Sequence, residues 1–285
     1  MADLVYPPVI GAALTVFRAL DVRITIVGAE HIPATGGAVL VSNHISYLDF
    51  LFAGLGAVRG GKRKTRFMAK DDVFKHGVSG PLMRGMKHIP VDRADGQPAY
   101  DTAVRALRAG EVVGVFPEAT ISRSFMLKKF KTGAARMAAD SGTPLLPVIL
   151  WGTQQLWTKG RPKTLTKRHV PVTIMIGEPI ELAPGDKPVM VTRRLRAAMS
   201  EMLDRAQREY PGAPSGPDDT WWLPVHLGGT APTLEVAEAE DEAEAAAKAE
   251  RHAAKAQAKQ QAEGRTPAPG QTPGQAPGQG DRPKS

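Results

Sequence analysis

Within Ser42-Asn43-His44-Ile45-Ser46-Tyr47-Leu48-Asp49, a histidine and a carboxylate stand five residues apart, a pairing suited to taking a proton from a hydroxyl. Imidazole can accept a proton near neutral pH, and a carboxylate on one ring nitrogen fixes the tautomer that leaves the other free as a base. At about 100° per residue, positions five apart on one helix lie roughly 140° apart and do not meet. His44 and Asp49 therefore touch only if His44 sits in a turn and Asp49 in the first turn of the helix that follows. Ser46 with Asp49 three residues later reads as a capping pair before the apolar run 48–52. There Asp49 faces the positive end of the helix. Gly37-Ala38-Val39-Leu40-Val41 reads as a buried strand, which puts His44 at a strand's carboxyl end, where α/β sheets bind ligands. Taken alone, the same pattern also fits a helix-capping Asp beside an ordinary turn histidine.

Two further loops carry polar groups of the right kind. Val115-Phe116-Pro117-Glu118-Ala119-Thr120-Ile121-Ser122-Arg123-Ser124 brings a carboxylate, hydroxyls and an Arg out of a buried strand. Residues 85–93 form a short strand that ends in Asp92-Arg93. Arginines at the ends of neighbouring strands suit a phosphate, which a guanidinium holds bidentately. Each loop by itself is equally compatible with a solvated turn.

The elements that must position these groups alternate. Strands are expected over 22–27, up to Val41, and over 65–69, 88–91, 112–116, 145–150 and 170–176. Helices are expected from about Ser46, over 97–109 closed by Gly110, over 132–139 stopping at Gly142, and over 189–208. Residues 77–85 read as a loop. The alternation predicts an α/β fold, a single domain with a mixed sheet covered by helices. A short N-terminal membrane-interface helix is expected over 1–20, the folded domain over 21–230, and a low-complexity disordered tail over 231–285. In that tail the only large apolar residues are Leu234 and Val236. Its Ala/Glu/Lys part reads as an isolated helix, and the Pro-Gly-Gln repeats that follow cannot bury enough surface to offset ordering entropy.

Composition narrows the partners. Setting aside the tail's 9 acidic and 7 basic residues leaves 30 Lys and Arg against 20 Asp and Glu, so the folded part carries +10 against +8 for the whole chain. Such a domain meets nucleic acid, anionic membrane or phosphorylated ligands. The chain has no Cys, which excludes a disulfide framework, a thiolate metal site and a Cys nucleophile. The apolar stretch 9–17 is far below the roughly 20 residues a bilayer span needs and lacks the marks of a signal peptide, so it reads as interfacial. Basic clusters at 59–66, 128–131 and 159–168 suit an anionic bilayer surface or the phosphates of coenzyme A. Trp221-Trp222-Leu223 is expected to dock back onto the core rather than enter the interface.

In this order, the segments resemble the glycerolipid acyltransferase family, specifically the 1-acylglycerol-3-phosphate (lysophosphatidate) acyltransferases. The four family blocks find matches in Asn43, His44 and Asp49; in 85–93; in Phe116, Pro117, Glu118 and Thr120; and in Leu146, Pro147 and Val148. Lys70 and Phe130-Lys131-Thr132-Gly133 also sit where family members place a Lys and a Lys-x-Gly. The likeness covers about residues 20 to 180. One departure is Ala119 in place of the usual Gly; the other is Ile121 in place of the usual Arg, with Arg123 two positions later.

The resemblance implies that His44 is the general base, with Asp49 its orienting partner. It implies that Arg93, Glu118, Thr120, Arg123, Lys70 and Asn43 bind substrate. It further implies acyl transfer from acyl-CoA or acyl carrier protein to lysophosphatidate, with no metal and no cofactor beyond that co-substrate. The acceptor is a lysophospholipid, the setting a peripheral one on the cytoplasmic face of the cell membrane, and no nucleic acid is expected. The absence of Cys agrees with direct attack on a thioester, and no G-x-S-x-G elbow is present. The same chemistry on another lysophospholipid or a glycolipid, or a basic non-enzymatic membrane- or nucleic-acid-binding module, are the alternatives.

Overall fold

The structure, a computed structural model, describes residues 4–164 and 166–263. In chain order the elements are α1 (Tyr6–Ala19), β1 (Arg23–Val27), β2 (Ala38–Ser42), α2 (Asp49–Gly61), β3 (Thr65–Lys70), α3 (Asp71–Lys75), α4 (Ser79–Gly85), β4 (Ile89–Val91), α5 (Gln97–Arg108), β5 (Val112–Val115), α6 (Gly133–Ser141), β6 (Leu145–Trp151), β7 (Pro171–Ile176), α7 (Pro188–Arg208) and α8 (Leu234–Glu263). The strands form one sheet in the order β1-β7-β6-β2-β5-β3-β4. Every pairing is parallel except β6 with β7. The sheet is therefore mixed, as the alternation of elements predicts.

Both faces of the sheet are covered, so its central strands are apolar throughout rather than alternating with polar residues. Successive side chains still point to opposite faces. Val39 and Val41 of β2, with Val113 of β5 and Ile149 of β6, pack into a core with α5, α6 and α7. Ala38 and Leu40, with Leu146, Val148 and Leu150, pack into a second core with Phe17 of α1 and Phe52 of α2. Each such fully buried Leu, Ile or Val contributes roughly 1.5–3 kcal/mol. β2 lies at the centre of this double layer, so the turn at its carboxyl end is held on a rigid base.

The fold departs from the sequence expectations at residues 79–85 and at the end of the folded domain. Residues 79–85 are helix α4 rather than loop: Ser79 donates its hydroxyl to the Val73 carbonyl (2.8 Å), and Gly80 N–H bonds the His76 carbonyl (2.8 Å). Backbone bonds from a preceding turn thus start a helix that the Gly and Pro content hides. The domain boundary also moves. The compact body extends to Ala237, and a second unit follows it. Thr230 and Ala231 N–H groups bond the Thr220 and Leu223 carbonyls, and the small side chains of Ala231 and Ala237 are buried, whereas Leu234 is half-buried and Val236 exposed. The tail is helical through α8 to Glu263; the disordered remainder expected beyond it lies outside the described residues. Trp222 is buried, as expected of a segment docked on the core. Among the described residues no helix is long and apolar enough to cross a membrane.

Candidate active site

The turn after β2 brings His44 and Asp49 together across the break their spacing demands. Asp49 is the first residue of α2, and its carboxylate turns back into the turn instead of facing solvent. Oδ2 accepts from His44 Nδ1 (2.9 Å), from Ile45 N–H (2.6 Å) and from Ser46 N–H (2.7 Å). Oδ1 accepts from the Thr153 hydroxyl (2.7 Å). A carboxylate has no proton to give, so His44 carries its hydrogen on Nδ1 and leaves Nε2 with a lone pair. Asp49 is 0% exposed, whereas the His44 side chain keeps 21% of its surface. The dyad is thus anchored on the protein side and open on the other. Of the expected Ser46–Asp49 capping pair only the bond from Ser46 N–H to the Asp49 carboxylate forms; the Ser46 hydroxyl instead donates to the Trp157 carbonyl (2.7 Å) and accepts from Leu48 N–H (3.1 Å).

A stack of rings fixes the plane of the imidazole. His44 lies on Phe116 with centroids 4.2 Å apart, and Phe116 lies on Phe67 at 5.7 Å. Phe67 fits because β5 carries Gly114 at that point: a Cβ there would stand 2.4 Å from the Phe67 ring. A glycine in the run Val112-Val113-Gly114-Val115 therefore sets the ring that backs the histidine.

The loop after β5 closes over the same turn. Glu118 Oε1 accepts from His44 N–H (3.0 Å), its Oε2 accepts from Lys128 N–H (3.2 Å), and Ser122 N–H bonds the His44 carbonyl (2.7 Å). Glu118 is only 6% exposed. Burial pushes its carboxyl up to about 8, against the two backbone N–H bonds that favour the anion. Where a substrate ligand is expected, the structure shows both oxygens bonded to backbone N–H groups, so Glu118 positions the His44 backbone.

Asn43 is likewise turned to the backbone. Its amide bridges β2 and β6, donating to the Leu150 carbonyl (3.0 Å) and accepting from Leu150 N–H (2.8 Å) in a fully buried position. It clamps two strands where their ladder ends.

Arg93, just beyond edge strand β4, reaches past β3 and donates to the Ala119 carbonyl (3.0 Å) while staying exposed. Ala119, where the family usually has Gly, has φ +62°, a left-handed conformation that favours glycine. Thr120 is half-buried beside it. Ile121 is buried, which explains how an apolar residue replaces the usual Arg there. Arg123 lies on the other side, its guanidinium so close to Gly160 that a Cβ on that glycine would stand 2.8 Å from Nη1. Lys70 ends β3 and is paired with Asp72.

Sequence reasoning missed Thr153, the fourth donor to Asp49, and the loop after β6 that carries it. Thr158 of that loop also donates to the Ile45 carbonyl (2.7 Å). The only signal for these residues is the sheet order that puts β6 beside β2, which is not written in local pattern.

Comparisons with known proteins place the chain among acyltransferases. Residues 23–151 match the family model described as Acyltransferase. The chain is 28% identical over 201 residues to the 1-acyl-sn-glycerol-3-phosphate acyltransferase of Bacillus subtilis (strain 168), covering 69% of this chain and 92% of that protein. It is 32% identical over 187 residues to the chloroplastic 1-acyl-sn-glycerol-3-phosphate acyltransferase LPAT1 of Arabidopsis thaliana, covering 64% of this chain and 49% of that one. The chain thus spans nearly all of the bacterial relative and about half of the chloroplastic one. The crystal structure of the 1-acyl-sn-glycerophosphate (LPA) acyltransferase PlsC from Thermotoga maritima shares the fold, with a TM-score of 0.61 at 24% identity over 72% of this chain and 80% of that chain.

Proposed function

The chain belongs to the glycerolipid acyltransferase family, and from that premise we propose that it moves a fatty acyl group from an acyl thioester to the free hydroxyl of 1-acylglycerol-3-phosphate, giving phosphatidic acid. The observation that carries the reading is the His44–Asp49 pair, with Nδ1 held at 2.9 Å and Nε2 left open. Nε2 takes the proton as the acceptor oxygen attacks the thioester carbonyl. The new C–O ester bond forms, the C–S bond breaks, and the proton passes to the leaving sulfur as a thiol. Asp49 balances the imidazolium that exists between those two transfers. Arg93, exposed beside the Ala119 carbonyl, binds the acceptor's phosphate.

The acceptor is a membrane lipid, and an exposed apolar surface supports a peripheral encounter with a bilayer. Leu4, Val16, Val78 and Leu82 stand exposed on and beside α1 and α4, whose ends meet where Val5 packs on Gly85.

The test is release of free thiol by purified protein given lysophosphatidate and an acyl thioester, with phosphatidic acid identified by mass. Arg93→Ala should raise KM for lysophosphatidate far more than KM for the thioester, because a charge-assisted contact to the acceptor is lost. Equal rises would make Arg93 structural, and thiol release without any acyl-lipid product would replace the reading with plain hydrolysis.

A further inference from the structure

Of the three basic clusters, two give part of their cations to the fold, while Arg59, Lys62, Lys129 and Lys131 stay exposed. Arg63 donates to the carbonyls of Pro33, Gly36 and Gly110, and buried Arg66 to Glu111 and the Met86 carbonyl. Lys128 is buried beside Glu118. The third cluster lies in the loop after β6 and is different in kind. Arg161 sits over the Trp221 ring at 5.1 Å, and Lys163 sits over the Trp157 ring at 4.0 Å. Both cations are exposed, and among the described residues neither is paired with a carboxylate. A ring holds a cation in place without cancelling its charge, unlike a salt bridge, so the positive field stays available. Trp157 in turn packs on Tyr47, with centroids 4.8 Å apart and Tyr47 43% exposed.

This shelf is fixed to the catalytic turn. The Trp157 carbonyl accepts from Tyr47 N–H (3.1 Å) and from the Ser46 hydroxyl (2.7 Å), and Arg123 packs against Gly160 of the same loop. The sheet order then separates two sets of cations. Arg93 follows β4, on the β5-β3-β4 side of β2, whereas Arg161 and Lys163 follow β6, on the opposite side. A transferase that joins two substrates at His44 needs such a division.

We infer that the shelf of Arg161, Lys163 and Trp157, with Arg123 at its edge, binds the nucleotide phosphates of a coenzyme A thioester, making it the donor site opposite Arg93. The inference rests on the acyltransferase reading, and it names the donor that this reading leaves open. The cations are drawn down onto rings within a three-residue span, a compact array that fits a small polyanion. A carrier protein would be met by cations spread over a wide face. The exposed Tyr47 ring beside them offers a stacking surface for the adenine.

The test is calorimetric titration of the full chain with coenzyme A, alongside turnover. Arg161→Ala with Lys163→Ala should weaken coenzyme A binding by about tenfold to a hundredfold, as expected for two lost charge-assisted contacts. In turnover, KM for acyl-CoA should rise while KM for lysophosphatidate moves by less than about twofold. The preference for acyl-CoA over an acyl-pantetheine thioester should disappear. The charge-preserving pair Arg161→Lys with Lys163→Arg should keep most of the affinity, which separates charge from folding. Unchanged coenzyme A affinity in the alanine variant overturns the inference, and so does an effect confined to acyl carrier protein as donor. Coenzyme A binding needs no acceptor, so a protein that binds it through these residues but does not acylate lysophosphatidate refutes the acceptor assignment alone.

Discussion

Two histidines stand at either end of one column of rings, and their surroundings give them opposite chemistry. His44 stacks on Phe116, Phe116 on Phe67, and Phe67 meets His88 edge-on at 5.9 Å. Both use Nδ1 for a fixed hydrogen bond. At His44 the partner is the Asp49 carboxylate, so Nδ1 must donate and Nε2 is a free base. At His88 the partner is Phe67 N–H (3.0 Å), so Nδ1 must accept and Nε2 carries the hydrogen. Burial, with a smaller push from the Arg66 charge, lowers His88 to about 4, and its Nε2 has no hydrogen-bond partner among the described residues. Partner identity, more than burial or ring packing, decides which histidine can take a proton from a substrate.

The largest effects should follow this split. His44→Ala is expected to lower turnover by about 10²–10⁴, as loss of a general base does, with little change in stability because the side chain is partly exposed. His88→Leu should do the reverse. It leaves Phe67 N–H buried without an acceptor, at a cost of about 1–3 kcal/mol, while turnover stays near the parent's. Kinetics and urea denaturation on both variants check the pair. A folded His44→Ala protein with normal turnover, or a His88→Leu protein that is stable but inactive, would break the contrast.

The second prediction sharpens the comparison through pH. His88 is depressed in the fold, from 6.5 to about 4, so the unfolded chain binds the proton first. Its contribution to stability is full above about 6.5 and is lost as pH falls toward 4. Glu118, on the His44 side, is raised from 4.5 to about 8, so there the folded chain holds the extra proton. Its contribution is full below about 4.5 and is lost as pH rises toward 8. His88→Leu should flatten the acid limb of the stability profile, and Glu118→Gln the limb between pH 5 and 8. Urea midpoints measured across that range decide the matter: an unaltered slope in Glu118→Gln means that the buried carboxyl is ionised in the fold.

These two sides also differ in how much of them was legible in the sequence. The His44–Asp49 contact follows from helical geometry and the strand before it, because both residues lie within eight positions of each other. The β-strand assignments follow from runs such as Val112–Val115 that only a doubly covered sheet can bury. Thr153, Gly160 and the ring column join segments dozens of residues apart, and only the sheet order brings them together. The inward orientation of Asn43 and Glu118 is illegible for a different reason. A polar residue in a functional motif looks the same whether it points at the ligand or at the backbone that carries the catalytic group. The inward hydrogen bonds to Leu150, His44 and Lys128 settle that question, and no spacing announces them.

The smallest effect concerns backbone strain on the His44 side. Ala119 holds φ +62° at the tip of the loop whose carboxylate positions His44, and a non-glycine residue there costs roughly 1–2 kcal/mol. Ala119→Gly relieves that cost but gives the unfolded chain more freedom, worth about 0.4–1 kcal/mol in the other direction. The net should be a gain between zero and about 1.5 kcal/mol, or a few degrees in Tm. Lys87, one residue before His88, has φ +56° at the end of α4, the position where helices favour Gly. Lys87→Gly is therefore expected to be stabilising too. The two should separate in kinetics. The Ala119 carbonyl receives Arg93, so a looser residue 119 should raise KM for the phosphate-bearing acceptor, whereas Lys87→Gly should leave it alone. If Ala119→Gly destabilised the protein, the left-handed turn would be favoured by contacts of the Ala119 methyl, and relief of strain would be the wrong account of this loop.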